Sequence, residues 1–241
     1  MSQGKKTSGA KAGAKASGNG GGRGLKVRVK TNRGRPIGSQ LWLQRQLNDP
    51  YVARARAEGY RSRAAFKLIE LDDRFKVLGK GKKVVDLGAA PGGWTQIAVD
   101  RVKAGQPKGG AVVGIDILEW APIAGATCMT LDFLDPKAPD LLKEALGGQA
   151  DVVLSDMASP TTGHGPTDHI RIMALAETAW MFAEEVLAPG GTFVCKVFQG
   201  GTEATLLNQI KRRCGSVRHA KPPASRKESA EVYVIGQNFK G

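Results

Sequence analysis

Three acidic residues lie at or just after the ends of short apolar segments, where a parallel sheet usually carries its ligand-binding side chains. They are Asp86, Asp116 and Asp132. The first acid is followed by a turn, Gly88–Gly93 (GAAPGG), whose glycines allow close approach to the backbone. Carboxylates there would attract an amine or a sulfonium, accept hydrogen bonds from hydroxyl groups and repel phosphate. The pattern predicts a binding site for a nucleotide-like ligand without phosphate.

The turn differs from two common nucleotide-binding motifs. A dinucleotide site uses Gly-x-Gly-x-x-Gly, whereas this turn reads Gly-x-x-x-Gly-Gly and contains Pro91. A P-loop requires Gly-Lys-Ser/Thr, which the turn lacks. A ligand with an adenosine but no pyrophosphate remains, so these residues predict S-adenosylmethionine, with Asp116 accepting hydrogen bonds from ribose hydroxyls. The alternative interpretation is a tight turn with a purely structural role.

The elements that would position these residues alternate between apolar segments and helix-like segments. We predict strands at 83–88, 111–117, 127–131, 151–155, 192–198 and 231–236, and helices near 94–103, 137–146, 168–187 and 202–213. Strands that are apolar on both faces and alternate with helices are typical of an α/β, doubly wound domain whose mostly parallel sheet is covered on both faces. In that fold, ligands bind at the carboxyl ends of the strands.

A further helix is predicted before the first strand, at residues 60–77. It has an apolar stripe at helical spacing, formed by Ala64, Leu68, Leu71 and Phe75. Lys67 lies at the edge of this stripe. By position alone, Lys67 is interpreted as a lysine whose aliphatic stem covers apolar surface.

The charge is concentrated near the amino terminus. The 241 residues carry a formal charge of +14, and 11 of the 36 Lys and Arg residues lie in residues 1–48, which contain no acid. Residues 1–35 are mostly Gly, Ala, Ser and Lys, so we predict a disordered basic tail that binds polyanions, followed by one domain at 36–241. A solubilising tail without a fixed partner and a transit peptide are the alternatives, although the glycine content disfavours the amphipathic helix of a transit peptide.

The cysteine and apolar patterns restrict the class of protein. The three cysteines, Cys128, Cys195 and Cys214, are far apart, which favours a reducing cytoplasm and indicates neither a disulfide framework nor a metal-binding pair. No apolar run approaches the roughly 18 residues of a membrane span. We therefore predict a cytoplasmic protein without membrane association. A monomer is the default expectation.

Seven stretches in consistent order carry a resemblance to a known family. They are YRSRAAFKL (60–68), VVDLGAAPGGWTQ (84–96), GIDIL (114–118), LDFLD (131–135), VLSDMAS (153–159), GGTFVCKVFQGG (190–201) and SRKESAEVYVI (225–235). From about residue 40 to 239, the chain resembles the FtsJ/RlmE family of ribosomal RNA ribose methyltransferases. The resemblance implies a Rossmann-like, seven-stranded fold that binds S-adenosylmethionine.

The resemblance also implies roles for individual residues. It predicts a catalytic tetrad of Lys67, Asp156, Lys196 and Glu231, and cofactor contacts at Gly92, Trp94, Asp116, Asp132 and Asp156. Trp94 would offer an aromatic face, although a tryptophan at the start of a helix is as often a packing residue; its position in the family favours the site. Asp86 is a further candidate by position. The segment Ser155–Pro160 (SDMASP) departs from the Ser-Asp-Met-Ala-Pro-Asn of many relatives, so the local substrate loop is expected to differ.

The reaction implied is transfer of a methyl group to a ribose 2′-hydroxyl, which requires removal of a proton. A positioned base contributes about 10²–10⁴-fold to such a step. We predict Lys196 as the base, because it ends an apolar segment and desolvation disfavours an ammonium group. Asp156 would lie beside both the cofactor and this lysine, while Lys67 and Glu231 would position groups or contact RNA. No metal is required.

The implied substrate is a uridine in the A-loop of large-subunit 23S ribosomal RNA, in the large ribosomal subunit. Methylation of transfer RNA or of an RNA cap is an alternative, as is a largely non-catalytic RNA-binding or ribosome-assembly factor. Basic residues could hold phosphates: Arg61, Arg63, Arg226, Lys227 and the triplet Lys211–Arg213. His164 and His169 flank the loop after the fourth predicted strand and are interpreted as loop residues rather than catalysts.

Overall fold

The computed structural model describes Met1 and residues 37–160, 162–199 and 203–241. The chain forms two compact units, Met1–Asn48 and Asp49–Gly241. In the first unit the structure describes one helix, α1 (Ile37–Leu47). The basic tail predicted at residues 1–35 lies, apart from Met1, outside the described residues.

The second unit contains a seven-stranded sheet and six helices among its described residues. The strands are β1 (Lys83–Leu87), β2 (Ala111–Asp116), β3 (Thr127–Thr130), β4 (Ala150–Ser155), β5 (Leu187–Phe198), β6 (Cys214–Ala220) and β7 (Glu231–Phe239). The helices are α2 (Pro50–Ala57), α3 (Ala64–Phe75), α4 (Gly93–Val102), α5 (Ala138–Leu146), α6 (Gly165–Val186) and α7 (Glu203–Arg213). No helix in the described ranges is long and apolar enough to cross a membrane.

The sheet is doubly wound. Its strand order is β3-β2-β1-β4-β5-β7-β6, and β7 alone runs in the direction opposite to the other six strands. After β1 the chain adds β2 and β3 on one side, and then continues with β4 on the other side of β1. The strand order therefore reverses between β1 and β4, which is where this class of fold binds ligands. The predicted α/β fold class is confirmed.

Helices cover both faces of the sheet, which explains why the central strands carry apolar residues on both faces. Consecutive residues of a strand point to opposite faces, and Val84 and Val85 accordingly belong to different hydrophobic clusters. One cluster holds side chains of α5, α6 and α7, and the other holds side chains of α3 and α4. The buried stripe of α3, including Leu68 and Leu71, faces the second cluster.

Several boundaries differ from the predictions. Helix α3 is shorter than the predicted 60–77, because Lys76 adopts a left-handed conformation (φ 53°) and ends it. Strand β5 begins at Leu187 rather than 192, since Leu187 already pairs with Ala150 before an irregularity in register.

Two elements of the second unit were missed by the sequence analysis. Strand β6 is a partly exposed edge strand with little apolar character (CGSVRHA). Helix α2 has only eight residues, and it starts where the Asp49 carboxylate accepts a hydrogen bond from the Tyr51 amide, a typical N-cap interaction.

Candidate active site

Four strands bring the predicted site residues to one edge of the sheet. β2 ends at Asp116, Asp156 directly follows β4, and Lys196 lies near the end of β5. β7 runs in the opposite direction, so its first residue, Glu231, lies at the same edge and pairs with Phe198. Residues that are far apart in sequence therefore meet at the carboxyl edge of the sheet.

The four tetrad residues form one connected network. Lys67 Nζ, from α3, lies 2.9 Å from Glu231 Oε2 and 3.6 Å from Asp156 Oδ2. Lys196 Nζ lies 3.2 Å from Asp156 Oδ1 and donates a hydrogen bond of 2.7 Å to the Asp156 carbonyl oxygen. Lys196 is 6% exposed. Asp156 therefore joins the two lysines, and Glu231 supports Lys67 from the other side.

Asp156 is held as an anion. Its burial alone would raise the pKa of this carboxyl group, but the ammonium groups of Lys196 and Lys67 and a hydrogen bond from Tyr233 lower it below the ordinary value. The Tyr233 hydroxyl donates to Asp156 Oδ1 at 2.6 Å. Burial, followed by the nearby charges of Asp156 and Glu231, raises the pKa of Tyr233 well above its ordinary value, so the phenol remains a donor.

Tyr233 is a site residue that the sequence analysis missed. It lies two positions after Glu231 on β7, and alternation along a strand places both side chains on the same face. It also pairs with Lys196 across the β5–β7 ladder. The alternation of side chains along the strand that begins at Glu231 could therefore have identified Tyr233 from the sequence.

The carboxylates predicted to bind the cofactor remain able to accept further hydrogen bonds. Asp116 accepts from the Ala90 amide at 3.0 Å and from the Leu118 amide at 2.9 Å. Asp132 is exposed and accepts from the Leu134 amide at 3.0 Å. Each carboxylate oxygen has a second lone pair, so both residues fit ribose hydroxyl or amine donors.

The tight glycine turn also serves packing within the protein. Gly92 has φ 112°, and a Cβ atom there would lie 2.6 Å from Ile123 Cδ1 and 3.1 Å from the Trp120 ring. Gly88 has φ 73°, and its Cβ would lie 2.5 Å from Met157 Cγ. Protein side chains therefore account for both glycines, in addition to the ligand approach predicted from sequence. The buried Trp120 indole N–H has no partner among the described residues, which leaves a donor beside this turn.

The Trp94 side chain does not offer the aromatic face predicted for it. Its indole is 3% exposed, packs against Tyr233 at a centroid distance of 5.6 Å and donates to the Ala64 carbonyl oxygen at 2.8 Å. The reason is that α4 turns this side chain into the core between α3 and the sheet. A ligand contact by Trp94 would use its backbone N–H, which lies in the first turn of α4, where amides have no partner within the helix.

Asp86 is buried beneath the site rather than exposed in it. It is 1% exposed and accepts a hydrogen bond from Thr95 Oγ1 at 2.6 Å. Burial raises the pKa of Asp86 to about 7; the Thr95 hydrogen bond opposes this shift, while the charges of Asp156 and Asp116 add to it. Asp86 therefore joins β1 to α4.

The raised pKa of Asp86 predicts a pH-dependent effect of the Asp86→Asn substitution. The folded protein binds the Asp86 proton more tightly than the unfolded chain, whose value is near 3.8, so this residue destabilises the fold increasingly as pH rises from about 4 to about 7. The free energy of unfolding of Asp86→Asn, minus that of the wild type, should rise through this window by up to roughly 4 kcal/mol and stay constant above it. Urea unfolding at several pH values measures this difference, and a pH-independent difference would contradict the assignment.

Two of the residues predicted to contact RNA make hydrogen bonds within the protein. The Arg61 guanidinium donates to the carbonyl oxygens of Pro91, Ala121 and Pro122. Arg63 donates to Asp49 and to the Ala224 carbonyl oxygen. Carbonyl partners of this kind depend on tertiary structure, so the sequence could not reveal them. Arg226 is a third exposed and lies 3.3 Å from Asp49, and Lys227 is exposed.

The sheet order, the acids at the switch point and the adjacent lysine–carboxylate network together define a Rossmann-like methyltransferase. Residues 60–239 match the model of the FtsJ-like methyltransferases, and the chain belongs to this family. The methyl donor of the family is S-adenosylmethionine, which the acids and the glycine turn described above fit.

Close relatives cover nearly the whole chain. A protein named ribosomal RNA large subunit methyltransferase E from Rhodospirillum rubrum is 62% identical, over 99% of this chain and 94% of its own length. A protein of the same name from Paramagnetospirillum magneticum is 64% identical, over 99% of this chain and 97% of its own length. A solved structure from Plasmodium falciparum, named as a ribosomal RNA methyltransferase, is 31% identical with a TM-score of 0.67, over 76% of this chain and 100% of its own.

Proposed function

We propose that this protein transfers a methyl group from S-adenosylmethionine to a ribose 2′-hydroxyl of 23S ribosomal RNA, at a uridine of the A-loop, with Lys196 as the general base. The observation that carries this proposal is the network of Lys67, Asp156, Lys196 and Glu231, at the same edge of the sheet as the carboxylates predicted to bind the cofactor. The relatives named ribosomal RNA large subunit methyltransferase E support the substrate class, because they match over nearly the full chain.

The hydrogen bonds of Lys196 suit a base. S-adenosylmethionine supplies a methyl group bound to a positively charged sulfur. The ribose oxygen would attack the methyl carbon in line with the carbon–sulfur bond and so displace the sulfur. A neutral lysine amine has two N–H groups and one lone pair. The carbonyl oxygen and the carboxylate of Asp156 lie within reach of both N–H groups. The lone pair is then available to take the proton of the 2′-hydroxyl as the C–O bond forms.

The formal charges of the network match the charge of the methyl donor. In the reactive form, in which Lys196 has given up the proton of its ammonium group, Lys67, Asp156 and Glu231 leave the network at −1, which favours a cationic sulfonium nearby. When Lys196 takes the proton, the network becomes neutral as the sulfonium loses its charge. The reaction therefore proceeds without net charge building up in a largely buried site. Lys67 and Glu231 act as positioning groups in this scheme.

The tail at residues 1–35 is proposed to hold the RNA by electrostatic attraction, ahead of a methyltransferase domain at 36–241. Deleting residues 1–35 should weaken RNA binding and flatten its salt dependence, since the slope of log K against log salt becomes shallower by about 0.9 for every phosphate that is no longer neutralised. Binding titrations at several salt concentrations test this, with a variant whose tail Lys and Arg are replaced by Gln as the matched comparison. An unchanged slope would leave the tail as a solubilising segment.

Mapping ribose methylation across all cellular RNA, with and without this gene, tests the substrate. Loss of one 2′-O-methyl group in 23S RNA is expected, whereas loss from transfer RNA or from an RNA cap would overturn the proposed substrate. A Lys196→Ala variant that loses methyl transfer but leaves the growth phenotype unchanged would favour a ribosome-assembly role. We further infer a monomer located in the cytoplasm, the latter from the three unpaired cysteines.

A further inference from the structure

The segment between β6 and β7, residues 221–230, is fixed to α3 at its centre. We call it the β6–β7 loop. Arg63 donates to the carbonyl oxygen of Ala224, and the Ala224 amide donates to Glu70 Oε2 at 2.7 Å. The other oxygen of Glu70 accepts from the Tyr51 hydroxyl at 3.0 Å. Ala224 itself is fully buried against Phe66. The centre of the loop is therefore held by both packing and hydrogen bonds.

Ser225 uses this fixed position to hold Glu231. Ser225 is 5% exposed, and its hydroxyl donates to Glu231 Oε1 at 2.6 Å. The other carboxylate oxygen, Oε2, accepts from Lys67 at 2.9 Å. Each oxygen of Glu231 thus has one donor, and the plane of the carboxylate is determined. The main-chain amide of Glu231 is held separately, by Ser229 Oγ at 3.1 Å.

We propose that Ser225 is a positioning residue for methyl transfer, which it serves by orienting the carboxylate of Glu231. Building on the proposed function, this assignment adds a residue that acts through Glu231. A glutamate side chain without this donor regains rotational freedom, so Lys67 loses a fixed partner. Lys67 also contacts Asp156, and a small displacement there reaches Lys196, where misplaced groups lower the rate steeply.

The test compares two serine-to-alanine substitutions in the same loop. Ser225→Ala should lower kcat about tenfold, the effect of losing one hydrogen bond to a charged group, with KM for S-adenosylmethionine unchanged. The Ser229 hydroxyl accepts from the main-chain amide of Glu231 and not from its carboxylate, so Ser229→Ala should change kcat by less than about twofold. Equal losses in the two variants, or an unchanged kcat in Ser225→Ala, would overturn the proposal.

A double-mutant cycle with Glu231→Gln isolates the proposed route. If Ser225 acts through the carboxylate, Ser225→Ala should have little further effect in the Glu231→Gln background. A full tenfold loss in that background would show a different route and overturn the proposal. Thermal unfolding of each variant checks that the fold is retained.

A crystal structure of Ser225→Ala makes the test independent of the substrate. We expect the distance from Lys67 Nζ to Glu231 Oε2 to lengthen beyond hydrogen-bonding range. This result would support the positioning role even if 23S RNA proved not to be the substrate, in which case only the proposed function would fail. An unchanged distance would overturn the role of Ser225 whatever the substrate.

Discussion

Replacing Lys196 by methionine is expected to lower kcat for methyl transfer by about 10²–10⁴-fold, the contribution of a positioned general base. Methionine keeps a long aliphatic side chain where Lys196 is buried, and Asp156 retains Lys67 and Tyr233 as partners. The variant should therefore still fold and bind S-adenosylmethionine, with reduced stability, and thermal unfolding checks that it is folded. The rate is measured by transfer of a labelled methyl group to large ribosomal subunits under single-turnover conditions.

Two further substitutions distinguish a base from a positive charge. Lys196→Arg keeps the charge and the hydrogen-bond donors, but arginine is not deprotonated in proteins, so this variant should be as inactive as Lys196→Met. Lys83→Met removes a lysine at the opposite edge of the sheet, at the start of β1, and should retain the wild-type rate. An active Lys196→Arg variant would show that the charge, rather than proton removal, supports the reaction.

The Asp156→Asn substitution is expected to have the second large effect, on stability as well as on activity. It removes the anion shared by Lys67 and Lys196, whose side chains are only 12% and 6% exposed. Breaking a buried ion pair by removing one partner costs about 3–5 kcal/mol. The free energy of unfolding should therefore fall by about this amount at pH 7, and methyl transfer should be lost.

The pH dependence gives a second test of the role of Asp156. The pKa of Asp156 is lowered in the folded protein from its ordinary value of 3.8. The ionised carboxylate therefore stabilises the fold fully at pH values above this ordinary pKa, and the stabilisation is lost as the pH falls through the lowered pKa of the folded protein. The destabilisation by Asp156→Asn should accordingly shrink in acid. Asp140→Asn serves as the control, because Asp140 is 89% exposed in a surface pair with Lys143. A stable Asp156→Asn protein at pH 7 would contradict the network described here.

The central part of the fold was predictable from sequence because its strands are buried on both faces. Segments such as KVVDL and ADVVLS contain consecutive apolar residues, whose side chains point to both faces of the sheet, as is typical of a sheet covered on both sides. The edge strand β6 and the short helix α2 lack this signal. Strand β6 is held by pairing with β7, and α2 begins at a cap whose aspartate also binds Arg63 and Arg226.

The site was predictable to the extent that it depends on strand ends and on motifs. The resemblance identified Lys67, Asp156, Lys196 and Glu231, and the structure brings all four together. The side chain of Trp94 was misjudged, because burial at the start of a helix depends on what packs over it. Contacts such as that between Ser225 and Glu231 require the path of the β6–β7 loop, which no sequence pattern indicates.

Nucleoside mass spectrometry of 23S RNA tests the central claim most directly. Purified protein is incubated with isotopically labelled S-adenosylmethionine and large ribosomal subunits from cells that lack this gene. We predict one labelled methyl group per subunit, on the ribose of a single uridine. In the time that the wild type needs to complete this reaction, the Lys196→Met protein should give about 1% of that label or less. A label on a base, or undiminished ribose labelling by Lys196→Met, would contradict the mechanism proposed for this site.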